Sequence, residues 1–176
     1  MHSICIISGG KGSGKTFFLM EILSLLQING FVAKGFVAIH DVESDAYLIK
    51  NVATNEEAFI MQRVAGFEKR PHHFKIFPEG VEKGLEWIEE ALEQSPDIAV
   101  IDEIGGYELR GKFWSEGFTR LVESGIPLIF TVKTKHLDKV IKKWNISATI
   151  VFDPDDFGNP RKAYEKLKEW MESTPM

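Results

Sequence analysis

Four glycines within six positions, Gly9, Gly10, Gly12 and Gly14, followed at once by Lys15 and Thr16, leave few folds open to this chain. The run before them, His2-Ser3-Ile4-Cys5-Ile6-Ile7-Ser8, is short and almost wholly apolar, as in a strand buried on both faces of a parallel sheet. In residues 15–29, Phe18, Leu19, Ile22, Leu25 and Leu26 recur at helical spacing, and Asn29-Gly30 supplies a stop. Strand, glycine loop and helix thus follow one another without a linker, a succession that belongs to sheets covered by helices on both faces.

Residues 9–16 satisfy G-x-x-x-x-G-K-[ST], with the strand before and the helix after that give the pattern its physical purpose. Backbone N–H groups can wrap a polyphosphate only where side chains do not obstruct and the chain can turn left-handed; the helix N-terminus adds positive potential. Gly9, Gly10, Lys11, Gly12, Ser13 and Gly14 are therefore expected to line a phosphate site. Lys15 is expected at the β- and γ-phosphates and the Thr16 hydroxyl on Mg²⁺. Within that loop Lys11 reads as solvated: the first glycine is followed by Gly10, not by the lysine that reaches a partner's site in some dimeric relatives of this motif.

A second element is the fully apolar run Ile98-Ala99-Val100-Ile101, which stops at Asp102-Glu103. It places two carboxylates at the carboxyl end of a buried strand, where open α/β sheets bind their ligands. Asp102 is expected to hold Mg²⁺ directly or through a water, and Glu103 to accept a hydrogen bond from the water that attacks the γ-phosphorus. Thr131 stands where a γ-phosphate sensor could sit but reads first as an ordinary strand threonine.

Elsewhere the pattern predicts strands at 31–39 and 46–51, paired antiparallel across a turn at 43–45, a short helix at 55–64, and a strand at 74–77 closed by Pro78. Helices are expected at 80–94, 112–124, 135–144 and 161–172, strands at 98–101, 128–132 and 148–152, and a loop at 153–160. Trp87, Trp114, Trp144 and Trp170 fall in predicted helices and read as packing residues. His72 and His73 would point to opposite sides of an extended chain, so they read as a surface turn, not a metal pair. Thr134-Lys135-His136-Leu137-Asp138 has one residue too many for the N/T-K-x-D guanine-reading element.

The loop at 9–16, together with Asp102-Glu103-Ile104-Gly105, then Glu108-Leu109 and Phe113, resembles the small P-loop nucleoside-triphosphatase family. A weaker likeness through Gly35-Phe36, Tyr47, Arg63 and the segment before Gly80 extends over nearly the whole chain. The resemblance implies a RecA-like, three-layer α/β fold with a mostly parallel central sheet. It also implies Mg²⁺-dependent hydrolysis of ATP, GTP and related nucleotides to diphosphate and phosphate, with modest base selectivity and slow turnover. Two departures touch selectivity and turnover more than phosphate binding. Gly106 and Tyr107 stand where the family usually has lysine and methionine, and Pro160 splits Asn159 from Arg161 where the family tends to have them adjacent. Among Arg63, Arg70, Arg110, Arg120 and Arg161, the first choice for a charge-stabilising cation is Arg110, on the segment leaving the Asp102 strand.

With 21 basic against 26 acidic side chains the net charge is −5, the wrong sign for a protein held on nucleic acid by phosphate contacts. The apolar stretch at 17–28 is interrupted by Glu21, Ser24 and Gln27, so no membrane span is expected. The lone Cys5 and the lack of a secretory-signal pattern point to the cytoplasm. Residues 1–176 fit one domain, and a monomer is the default assembly. Two rival functions share the loop: a small-molecule or nucleoside/nucleotide kinase with its acceptor within residues 31–80, and a nucleotide-gated module in which triphosphate orders residues 105–112 for a partner.

Overall fold

The computed structural model describes residues 3–64, 73–147 and 149–173. The chain runs through β1 (Ile4–Gly9), α1 (Lys15–Ile28), β2 (Ala33–Asp41), β3 (Ala46–Asn51), β4 (Glu57–Arg63), β5 (Phe74–Ile76) and α2 (Pro78–Gln94). It continues through β6 (Ile98–Ile104), α3 (Gly106–Leu109), α4 (Ser115–Ser124), β7 (Leu128–Lys133), α5 (Thr134–Lys143), β8 (Thr149–Phe152), α6 (Pro154–Phe157) and α7 (Pro160–Ser173). The strands form one sheet in the order β5-β4-β3-β2-β6-β7-β1-β8. From β2 to β8 neighbouring strands are parallel, while β3, β4 and β5 extend the sheet antiparallel from β2.

The parallel strands are apolar on both faces because helices cover both. On one face Phe36, Ile101 and Phe130 pack with Trp87 and Ile88 of α2, Phe118 of α4 and Val140 of α5. On the other, Cys5, Ile7, Val100 and Ile129 pack with Phe18, Leu19 and Ile22 of α1 and Leu167 of α7. The result is the expected three-layer α/β arrangement with a mostly parallel sheet. Trp87 and Trp114 are buried in the first of these cores, Trp170 packs against the second, and the Trp144 indole N–H donates to Thr119 Oγ1 at 2.8 Å. None of the described helices is long and apolar enough to cross a membrane.

Several local expectations are corrected. Residues 57–63 are a strand, not part of a helix: Tyr47 pairs with Met61 and Leu48 with Phe59, leaving Ile60 as an extra, bulged residue. The bulge breaks period-two alternation and makes the run look helical, yet Ile60 is buried under α2. Pro78 closes no strand; it opens α2. The helix expected from 112 begins only at Ser115, because Gly111 and Phe113 hold left-handed φ of 76° and 50° and residues 106–109 form α3. The supposed loop at 153–160 contains α6, capped by the Asp153 side chain, which accepts from Asp155 N–H at 2.9 Å. Arg70, His72 and Ala148 lie outside the described residues.

Candidate active site

Gly14 takes a left-handed φ of 79° and turns the loop into α1, whose N-terminus no side chain caps. The first helical bond, from Phe18 N–H to Gly14 O at 2.9 Å, leaves the N–H groups of Lys15, Thr16 and Phe17 without intrahelical acceptors. A Cβ on Gly9 would lie 2.4 Å from Ser13 Oγ, so glycine there lets the loop fold back on itself. Lys15 is only 5% exposed, and its ammonium donates to Gly10 O at 2.9 Å, inside the loop. Gly10, Lys11, Gly12 and Gly14 are exposed.

Among the described residues, three buried side-chain polar atoms have no partner: Ser8 Oγ, Ser13 Oγ and His136 Nδ1. All lie at this end of the sheet. Ser8 is the penultimate residue of β1, Ser13 is in the loop, and His136 sits on the first turn of α5, its Cδ2 3.7 Å from where a Gly105 Cβ would be. Buried polar atoms are normally paired, and these three orphans lie at the end of the sheet that carries the glycine loop.

The strand carrying the acids does not stop at Ile101. β6 runs on to Ile104 through a bulge: Ile101 pairs with Phe130 and Ile104 with Val132, so β6 holds one residue more than β7. The two residues opposite Thr131 are the carboxylates themselves, and their environments differ. Asp102 is 1% exposed, whereas Glu103, at a left-handed φ of 65°, projects to solvent. Such a backbone costs a non-glycine residue about 1 kcal/mol or more and is held here by its surroundings.

Asp102 is reached from three elements. Thr16 Oγ1 donates to Asp102 Oδ2 at 2.8 Å, Ala38 N–H of β2 donates to the same oxygen at 2.9 Å, and the Thr131 hydroxyl of β7 donates to Oδ1. Thr131 Oγ1 in turn accepts Glu103 N–H at 2.8 Å, so one buried threonine fixes both acids. Burial pushes the Asp102 carboxyl up to about 6; the donors from Thr131, Ala38 and Thr16 pull the other way without overcoming it.

Beyond the bulge, the buried Glu108 accepts Gly105 N–H at 2.9 Å, and burial raises its pKa. Lys143 of α5 donates to Glu108 O at 2.8 Å and Leu109 O at 3.1 Å, closing the end of α3. The same segment carries Arg110, whose guanidinium lies 5.1 Å from the Tyr107 ring centre and 3.2 Å from where a Gly106 Cβ would be. Other arginines are engaged elsewhere: Arg63 pairs with Asp45 at 2.9 Å, and Arg120 pairs with Glu89. Asn159 Oδ1 accepts Arg161 N–H at 3.0 Å, the geometry of a helix cap.

Sequence reasoning singles out Thr131 but reads it first as an ordinary strand threonine, and it misses Ala38 and the anchoring role of Glu108. A lone hydroxyl within the apolar 128–132 segment was a usable signal, since it had to find a partner once buried; the backbone N–H of Ala38 left none. A cavity of about 390 Å³ lies away from the glycine loop, beside β4 and the start of α2, lined by Phe59, Phe77, Glu79 and Lys83 among others.

A family model described as NTPase matches residues 4–152. Nucleoside-triphosphatase THEP1 of Methanocaldococcus jannaschii is 30% identical over 137 residues, covering 76% of this chain and 79% of its own. Its namesake from Hyperthermus butylicus is 28% identical over an alignment of 177 residues, covering 96% and 93%. Among solved structures, a human cancer-related nucleoside triphosphatase superposes with a TM-score of 0.73 at 17% identity, covering 99% of this chain and 100% of the other. THEP1 from Aquifex aeolicus superposes at 0.69 with 16% identity, covering 94% and 95%. These two structural likenesses speak to the fold.

Proposed function

The chain belongs to the NTPase family, whose model spans residues 4–152, and from that premise we propose that it hydrolyses ATP, GTP and related nucleoside triphosphates to diphosphate and phosphate with Mg²⁺ at Thr16 and Asp102. The observation that carries this reading is two adjacent carboxylates in unlike environments, Asp102 buried against Thr16 of the loop and Glu103 exposed beside it. The free Cys5 thiol, fully buried, supports a reducing, cytoplasmic setting.

The donor set fits Mg²⁺: a hydroxyl and a carboxylate oxygen 2.8 Å apart are hard ligands of the kind it takes alongside phosphate oxygens and water. When bound, the ion supplies charge neutralisation at the β- and γ-phosphates. The chain supplies the rest. Loop and first-turn N–H groups hold the phosphates, and Lys15 exchanges Gly10 O for a phosphate oxygen. Glu103 orients a water and takes its proton as the water oxygen bonds to the γ-phosphorus and the bond to the bridging oxygen breaks, leaving that electron pair on the diphosphate. Arg110 sits on the segment beside these groups and supplies positive charge to the departing phosphoryl group. Arg110→Ala should lower turnover about tenfold or more while diphosphate affinity holds; unchanged turnover in a phosphate-release assay removes Arg110 from the mechanism.

The pH dependence has a defined sign. Asp102 must lose its proton to hold Mg²⁺, and burial raises that carboxyl to about 6. Apparent Mg²⁺ affinity should therefore fall as pH drops through that value, by up to about tenfold per unit below it. Magnesium titrations of phosphate release from pH 5 to pH 8 read this directly, and a flat profile would contradict it.

Residues 134–138, the guanine-element look-alike, open α5. We expect ATP and GTP to be hydrolysed within roughly tenfold of each other, or ~1.4 kcal/mol; strict use of one base would refute this. A kinase, the second reading, needs an acceptor within reach of the phosphate loop, and the cavity of about 390 Å³ beside β4 is not at that loop. Phosphate release from a nucleotide panel, with and without candidate acceptors, tests the proposal: release without acceptor supports hydrolysis, and release only with transfer to an acceptor supports the kinase.

A further inference from the structure

We infer that Lys133 is a second cation of the phosphate site and contacts the terminal phosphate of a nucleoside triphosphate from the end of β7. This rests on the reading of residues 9–16 as a phosphate loop. β7 lies between β1 and β6, and its last residue, Lys133, is in register with Gly9, where the loop begins. Strand alternation sets the direction of its side chain. Ile129 packs into the core on the α1 side, Thr131 carries its hydroxyl to Asp102, and Lys133 is the next residue on that face. It therefore leaves the sheet between the loop on one flank and the bulge bearing Glu103 on the other, where Glu103 N–H already bonds to Thr131.

Lys133 is partly buried, and among the described residues no carboxylate pairs with it. Its charge instead joins those of Lys135, Lys139 and Arg110 which, behind the larger effect of burial, disfavour protonation of His136. A part-buried ammonium without a counter-ion, beside a loop shaped for phosphate, gains most from an anionic oxygen. Because it stands on the Glu103 side of the loop, the oxygen it meets belongs to the phosphate nearest Glu103. A diphosphate lacks that group.

The test compares two ligands by calorimetry with Mg²⁺ present: a non-hydrolysable ATP analogue and ADP. Lys133→Met should weaken the analogue about tenfold or more while ADP affinity stays within about twofold, and Lys133→Arg should recover most of the loss. Lys139→Met, a change to an exposed α5 cation, should alter neither. Lys133→Gln repeats the comparison should the methionine variant not fold. Equal weakening of both ligands, or of neither, overturns the inference. Lys15→Ala run in parallel separates the two readings. If it keeps its binding, the phosphate-loop reading itself falls; if it loses binding while Lys133→Met shows no preference, only the role of Lys133 falls.

Discussion

Glu103→Gln should bind Mg²⁺-nucleotide about as well as the unsubstituted chain and turn it over ~10²–10⁴ times more slowly, a barrier increase of roughly 3–5 kcal/mol. Glutamine keeps the shape of the side chain but cannot take a proton from water. The position is exposed, so the exchange disturbs no packing, and the backbone N–H bond to Thr131 does not depend on the side chain. Asp102→Asn should behave differently. Its carboxylate accepts from Thr16, Ala38 and Thr131 in a fully buried setting, and an amide cannot accept at both of its ends. Its defect should appear in magnesium dependence as well as in rate. Single-turnover phosphate release at several Mg²⁺ concentrations separates the two variants. If Glu103→Gln hydrolyses within about a factor of two of the original chain, Glu103 does not orient the water, and the kinase or switch reading gains.

Lys15→Ala should lose about 100-fold or more in affinity for ATP and GTP, ~3 kcal/mol, while the fold survives. Within the protein the ammonium donates to Gly10 O, so its removal costs the fold little and relieves a nearly buried charge. In the complex the same ammonium meets phosphate oxygens, and alanine offers nothing in its place. Calorimetry on a variant with an unchanged circular dichroism spectrum decides the matter; undiminished binding would remove residues 9–16 as the nucleotide site.

The two variants probe features that were unequally legible. Residues 2–29 could be read closely because an apolar run, a glycine pattern and a helical period agree there. The Asp102-Glu103 pair was visible, but the bulge was not: nothing in the residue types says that β6 takes one extra residue and holds Glu103 in a left-handed backbone. The same blindness hid β4, where the bulge at Ile60 disguised the strand. Both bulges depend on what the neighbouring strand offers, and residues far along the chain determine that. Arg110 could be ranked first among the arginines from its place near Asp102, but the ion pairs that engage Arg63 and Arg120 elsewhere exist only in the folded chain. Thr131 was read as an ordinary strand residue; its hydroxyl became informative once both of its partners were seen.

Hydrolysis of ATP in isotope-labelled water, followed by mass analysis of both products, tests the central claim most directly. If water held by Glu103 attacks the γ-phosphorus, the label enters the released phosphate, the ADP stays unlabelled, and no added acceptor is needed. Label in the ADP, or no phosphate until an acceptor is supplied, would contradict the account.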